Sequence, residues 1–225
     1  MKKLIMIISL MMAFSMMAAP VVMAGTISTG DYVKLIAYNY LDNAGIMTYD
    51  VSHDKGQSVA FIYNTFCIQD NVYIWANTWY PVASVSNNVG KFDSPPEAGT
   101  GPLQGAVDYL YYQYKSGAYD LTSAAAQDDF QRFLWSIQKS GPTYIPAATD
   151  PWYIDYVAYG NPSNGLQHPW GTEVINIASR INSDGRFTGP DIQNQLYNQV
   201  PEPTTMLLFG LGLVGIAGLR RKFKG

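Results

Sequence analysis

The chain has 225 residues, with 14 Lys or Arg against 17 Asp or Glu and a net charge of −3. Charged residues are only 14% of the whole, so it lacks the basic footprint of a nucleic-acid-binding protein. One cysteine, Cys67, rules out a disulfide within the chain, and the two histidines, His53 and His168, sit in no zinc-ligand spacing.

Residues 1–24 read as a secretory signal peptide. Lys2 and Lys3 precede a short apolar run, and Val22 and Ala24 occupy the two small-side-chain positions before a cut after Ala24. Seven of the nine methionines lie in this segment, so the exported part is not Met-rich. The run is short and ends in a cleavage-like site, which favours a removable signal over a retained anchor.

The body, residues 25–200, is long enough for one domain, or two closely packed subdomains, with a real core. No period of 20–50 residues repeats, so a solenoid is not expected. "DYVKLIAYNYL", "GIMTYDVS" and "QSVAFIYNTFCI" place β-branched and aromatic residues at period two between turn clusters, the pattern of strands. "NVYIWANTWYPVASV" reads as a further strand pair, followed by the Pro/Gly loop "GKFDSPPEAGTG". "DVSHDKG" has acidic residues near a calcium-loop spacing. Its glycine comes one residue late and no bidentate Glu follows, so it reads as a turn.

The period then becomes helical. "PLQGAVDYLYYQYKSG" sets Leu103, Val107, Leu110 and Tyr114 on one face. A second helix has Thr122 or Ser123 as N-cap and Gly141 as stop, with Ala126, Phe130, Phe133, Leu134 and Ile137 inward. Asp128 and Asp129, adjacent in sequence, diverge around its start. Residues 141–171 read as an aromatic loop. A third helix is expected from about Thr172 to Asn182, with Val174, Ile177, Ala178 and Ile181 inward, and a last strand around "DIQNQLYNQV". Strands, inserted helices and a return to strand predict an α+β fold. The expected form is an antiparallel sandwich or barrel-like sheet, an inserted subdomain of about three helices and a C-terminal hydrophobic helix.

Residues 201–225 carry an address. Pro201, Glu202 and Pro203 precede an apolar stretch over residues 204–219, and Arg220, Arg221, Lys222 and Lys224 close the chain. The stretch is near the lower length limit for a membrane span. Its basic end would stay cytoplasmic, which leaves the body on the far side of the inner membrane. In order and spacing the segment resembles the PEP-CTERM sorting signal of Gram-negative bacteria. That resemblance implies export by the secretion translocon, transient anchoring in the inner membrane and cutting near Pro201 by an exosortase. It also implies a final place at the outer surface or in an exopolysaccharide matrix.

The lone thiol has a second resemblance. Phe66, Cys67 and Ile68, followed some sixty residues later by Phe130, Gln131, Leu134 and Trp135, resemble the paired signature of bacterial thioester domains. "AVDYLYYQY" is similar to the helix that precedes the glutamine in those domains. The sequence departs from the pattern at Gln69, where an acid is usual and Asp70 follows one place late. The resemblance implies a bond between Cys67 and the Gln131 side chain, shielded by Phe66 and Trp135, that couples covalently to a surface amine. It implies adhesion, with no turnover and no cofactor. The alternatives are an inert buried cysteine in a non-covalent matrix protein, or an intermolecular disulfide or lipidation.

No nucleophile elbow, phosphate loop or dinucleotide fingerprint is present, and nothing suggests an enzyme. Trp152, Tyr153 and Trp170, with Tyr156 and Tyr159, supply either a sugar-stacking platform or the lid of the core.

Overall fold

The computed structural model describes residues 25–41, 44–70, 72–90, 100–139, 141–159, 170–184 and 186–198. The signal peptide, His168 and the whole segment from 199 onward lie outside the described residues. The expected C-terminal helix, with Pro201, Glu202, Pro203, Arg220 and Arg221, lies there too. Among the described residues no helix is long and apolar enough to cross a membrane.

The period-two runs form strands because alternate side chains share one apolar interior. Strand β1 spans Tyr32–Leu41, β2 Ala44–Ser52 and β3 Phe61–Thr65. Val33 and Leu35, then Met47, Tyr49 and Val51, then Tyr63 all enter the same core. Strand β4 spans Trp79–Ser86, and a short pair, β5 (Asn88–Val89) and β6 (Gly101–Pro102), leads to the helices. After them come β7 (Glu173–Ile181) and β8 (Phe187–Tyr197). The six long strands make one antiparallel sheet in the order β3-β2-β1-β4-β7-β8.

The two outer strands of this sheet are joined. Beyond β3 the chain runs beside β8, where the Leu196 N–H donates to the Phe66 carbonyl at 3.0 Å. The Ile68 N–H donates to the Asn194 carbonyl at 2.9 Å. Cys67 lies between these bonds, directly opposite Gln195. Tyr63 and Thr65 reinforce the junction, both donating hydroxyl hydrogen bonds to the Leu196 carbonyl.

Three helices sit between β6 and β7: α1 (Gly105–Lys115), α2 (Ala124–Gln138) and α3 (Pro151–Ala158). Helix α2 starts where the Ser123 hydroxyl accepts from the Ala126 N–H, satisfying an otherwise orphaned donor. It ends at Lys139, which takes a left-handed conformation with φ 60°. Gly141 serves a different need from the expected stop. A Cβ there would come within 3.1 Å of an Asp70 carboxylate oxygen and 3.3 Å of the Trp135 Cβ.

Two apolar cores result. One lies inside the sheet and holds Leu35, Tyr49, Val51, Val82, Ile175 and Ile177. The other lies between sheet and helices and holds Leu103, Val107, Leu110, Phe130, Leu134 and Leu196. Each such fully buried side chain contributes roughly 1.5–3 kcal/mol relative to exposure.

Three expectations are corrected. The helix expected at about Thr172–Asn182 is strand β7. Its residues are buried on both faces, Ile175 and Ile177 toward the sheet interior and Val174 toward the helices. Two-sided burial erases the alternation that marks a strand and leaves a pattern that also fits a helix. The supposed loop at residues 141–171 contains α3, which begins with Pro151 at its first turn. The strand pair in "NVYIWANTWYPVASV" is one strand, β4. Ahead of it Tyr73 and Trp75 are exposed, at 70% and 74%, and Asn77 takes a positive φ of 62°.

Candidate functional site

Cys67 and Gln131 come together from 64 positions apart. The junction of β3 with β8 fixes Cys67, whose neighbours Phe66 and Ile68 turn into the helical core while its own side chain enters the sheet interior. Gln131 sits in the middle of α2, a helix packed mainly across β1 and β2. Both side chains are fully buried, each 0% exposed.

The contact between them is double. The Cys67 thiol donates to Gln131 Oε1 at 3.5 Å, and Gln131 Nε2 donates to the Cys67 backbone carbonyl at 2.6 Å. The second bond holds the carboxamide in place, so that its carbonyl is presented to the sulfur. A thiol and a carboxamide thus meet in a site closed to water, hydrogen-bonded through the amide oxygen.

The electrostatics oppose spontaneous ionisation. Burial pushes the Cys67 thiol well above its ordinary range, and the nearby Asp70 carboxylate adds to this. The Trp135 indole N–H acts the other way, favouring the thiolate. Trp135 follows Gln131 by one helical turn and shares the sulfur's core. Its Nε1 is buried and makes no hydrogen bond of ordinary geometry. Phe66, expected to shield the sulfur with Trp135, packs instead on Phe130 and Tyr114 in the other core. Adjacent residues of an extended chain face opposite ways.

Gln69 stands where an acid was usual, and it serves the strand junction. Its Oε1 accepts from the Asn194 N–H at 3.1 Å, and its backbone carbonyl accepts from Gln193 Nε2 at 3.0 Å. Asp70 lies instead by Gly141 and Arg132. Burial raises its carboxyl above the ordinary value while the Arg132 charge lowers it. Gln195, opposite Cys67, was not singled out by sequence. The only available signal was the alternation of Gln193 and Gln195 in the last strand.

The remaining candidates separate. Trp152 is only 4% exposed and meets Phe130 and Tyr119 edge-on, so it belongs to the core and is not a sugar platform. Tyr153 leans on Phe133 and Tyr156, whereas Trp170 contacts Tyr109 and Tyr112. Asp128 pairs with Arg132, and Asp129 accepts from the Tyr144 hydroxyl, so the two carboxylates have different partners. "DVSHDKG" is a turn in which the Asp54 carboxylate accepts from the Ser58 N–H and from the Ser52 and Ser58 hydroxyls. Among the described residues no group of three or more His, Cys, Asp or Glu could hold a metal.

The described residues thus form an α+β body in which Cys67 and Gln131 meet in a dry polar contact. The family model described as the PEP-CTERM protein-sorting motif matches residues 199–222. This is an exported protein of the cell envelope and surface, and an exosortase is its processing partner. No curated protein and no solved structure matches the chain.

Proposed function

We propose that this is a surface or matrix protein that couples covalently to amines through an internal thioester between Cys67 and Gln131. The Cys67 sulfur attacks Gln131 Cδ, the thiol proton passes to the amide nitrogen, the C–N bond breaks and ammonia leaves. A surface amine later attacks the same carbon. It forms an amide with Gln131 and returns a proton to the sulfur. Each molecule reacts once, so the protein acts as an adhesin and not as an enzyme.

The observation that carries this reading is the double contact of Gln131 with Cys67, both fully buried. A solitary thiol in an oxidising compartment is otherwise a liability. The reading gives it a bonded partner inside the chain.

A second reading, a non-covalent exopolysaccharide-matrix component with an inert cysteine, draws on the burial that raises the thiol's pKa. Thiol titration separates the two. Freshly purified, unfolded under mild acid to preserve a thioester, the protein should show no free thiol. After methylamine treatment it should show one thiol per chain. One free thiol from the outset supports the inert cysteine.

A further inference from the structure

Two buried polar atoms beside Cys67 make no hydrogen bond of ordinary geometry: Gln195 Oε1, an acceptor, and Trp135 Nε1, a donor that bears on the Cys67 sulfur. Gln195 is 1% exposed and Trp135 3%. Leaving such a group unpaired costs roughly 1–3 kcal/mol, so each calls for a physical reason, such as a bound water or a role in chemistry.

Their placement is specific. Cys67 and Gln195 face each other between two flanking backbone bonds, Leu196 N–H to Phe66 O and Ile68 N–H to Asn194 O. That makes them a non-hydrogen-bonded antiparallel pair, the kind whose side chains come closest and project to the same side. Ile175, paired with Gln195 on the next strand, lies in the same core as the sulfur. Gln195 Nε2 donates to the Gln193 carbonyl at 2.9 Å, which fixes the carboxamide and leaves its oxygen spare.

We infer that Gln195 and Trp135 line a binding site for ammonia and small primary amines beside Cys67. The inference rests on the thioester reading and adds what that reading lacks, a place for the nitrogen. Gln195 Oε1 accepts an N–H of the leaving ammonia, and later of the entering amine, so that the amine lone pair points at Gln131 Cδ. The Trp135 N–H donates to the sulfur as negative charge develops on it, when the C–S bond breaks. The amine nitrogen gains the acyl carbon and gives one proton to the sulfur, so no co-reactant is needed.

Gln195→Met keeps the length of the side chain and removes the acceptor. Thiol release should be followed against methylamine concentration, with full-length wild type and Gln195→Met prepared alike. The variant should need about tenfold more methylamine for half-maximal rate, a loss of the order of one good hydrogen bond. An unchanged half-saturation overturns the site.

The Cys67→Ala protein, which cannot form the bond, gives a test independent of the thioester. At alkaline pH, where methylamine is neutral, its titration should shift the side-chain amide resonances of Gln195 saturably, and the Trp135 indole resonance with them. Those of Gln127 should stay in place. Absence of a Gln195 shift overturns the site, whether or not Gln195→Met folds and whether or not wild type carries a thioester.

Discussion

Gln131 Nε2 donates to the Cys67 carbonyl at 2.6 Å while Gln131 Oε1 accepts from the Cys67 thiol at 3.5 Å, so one carboxamide grips both the backbone and the side chain of the same residue. The two grips differ in strength. The first satisfies a buried backbone carbonyl, and the second is a weak thiol bond. Relative to protein that keeps the Gln131 amide, Gln131→Ala strips the carbonyl of its partner and opens a cavity, and should cost roughly 2–4 kcal/mol. Cys67→Ala removes little more than a sulfur and should cost about 1–2 kcal/mol less. Urea unfolding of the two variants checks the order. Equal costs would mean that the carbonyl bond is not structural.

Alkaline pH should weaken the fold. Burial raises the Cys67 thiol above its ordinary 9.0, and Tyr49, Tyr63 and Tyr111 above their ordinary 10.0. These groups stay neutral in the folded interior and ionise first in the unfolded chain. The stability they contribute is therefore complete below the ordinary values and is lost as pH rises beyond them. Urea midpoints should hold to about pH 9, the ordinary thiol value, and then decline. The thiol's share of the decline should vanish in Cys67→Ala, and equally in protein whose sulfur is bonded. Midpoints that stay flat well past the ordinary tyrosine value would contradict the buried-hydroxyl junction.

Asp108, on α1, anchors the start of β7. Its carboxylate accepts from the Thr172 N–H at 2.8 Å and the Trp170 N–H at 3.3 Å, and its backbone carbonyl accepts from the Thr172 hydroxyl. Asp108→Ala leaves two backbone donors without this acceptor and should cost roughly 2–4 kcal/mol in chemical denaturation. Asp108→Asn keeps one acceptor and should lose less. A loss within experimental scatter for both would remove Asp108 from the structural role.

Strands β1 to β3 were legible because apolar and polar residues alternate in sequence: Val33, Leu35, Met47, Tyr49 and Val51 enter the core, with Lys34, Thr48 and Asp50 between them. Strand β7 was misread for the opposite reason, since both its faces are covered. Helix α2 was legible from its Phe130, Phe133 and Leu134 stripe and its Ser123 cap. Helix α3 was hidden because its eight residues mix Pro, Trp and Tyr, which also suit a loop. The meeting of Cys67 with Gln131 came from resemblance, since spacing cannot relate residues 64 positions apart. Gln195 was illegible. Its relation to Cys67 exists only in the register between the end of β3 and β8, which no local pattern encodes.

The sorting segment makes its own demand. The PEP-CTERM match ends at residue 222, and so includes Arg220, Arg221 and Lys222. Replacing these three with Gln removes the positive charge that, by the positive-inside rule, is expected to keep such a tail on the cytoplasmic side. Unprocessed protein should then accumulate in the inner membrane, and envelope protein cut near Pro201 should fall severalfold on immunoblots of cell fractions. Normal processing of the variant would show that these charges do not direct the exosortase.

The mass of the protein's own atoms reports the covalent chemistry most directly. Protein purified from the envelope, with both processed ends defined by terminal peptides, should weigh about 17 Da less than its sequence, the mass of the ammonia expelled when Cys67 takes the acyl group of Gln131. Cys67→Ala and Gln131→Ala, processed alike, should each weigh what their sequences require, and methylamine should remove the deficit from wild type. Wild type at full sequence mass, freshly prepared and never exposed to amines, would contradict the thioester and leave Cys67 as a buried thiol.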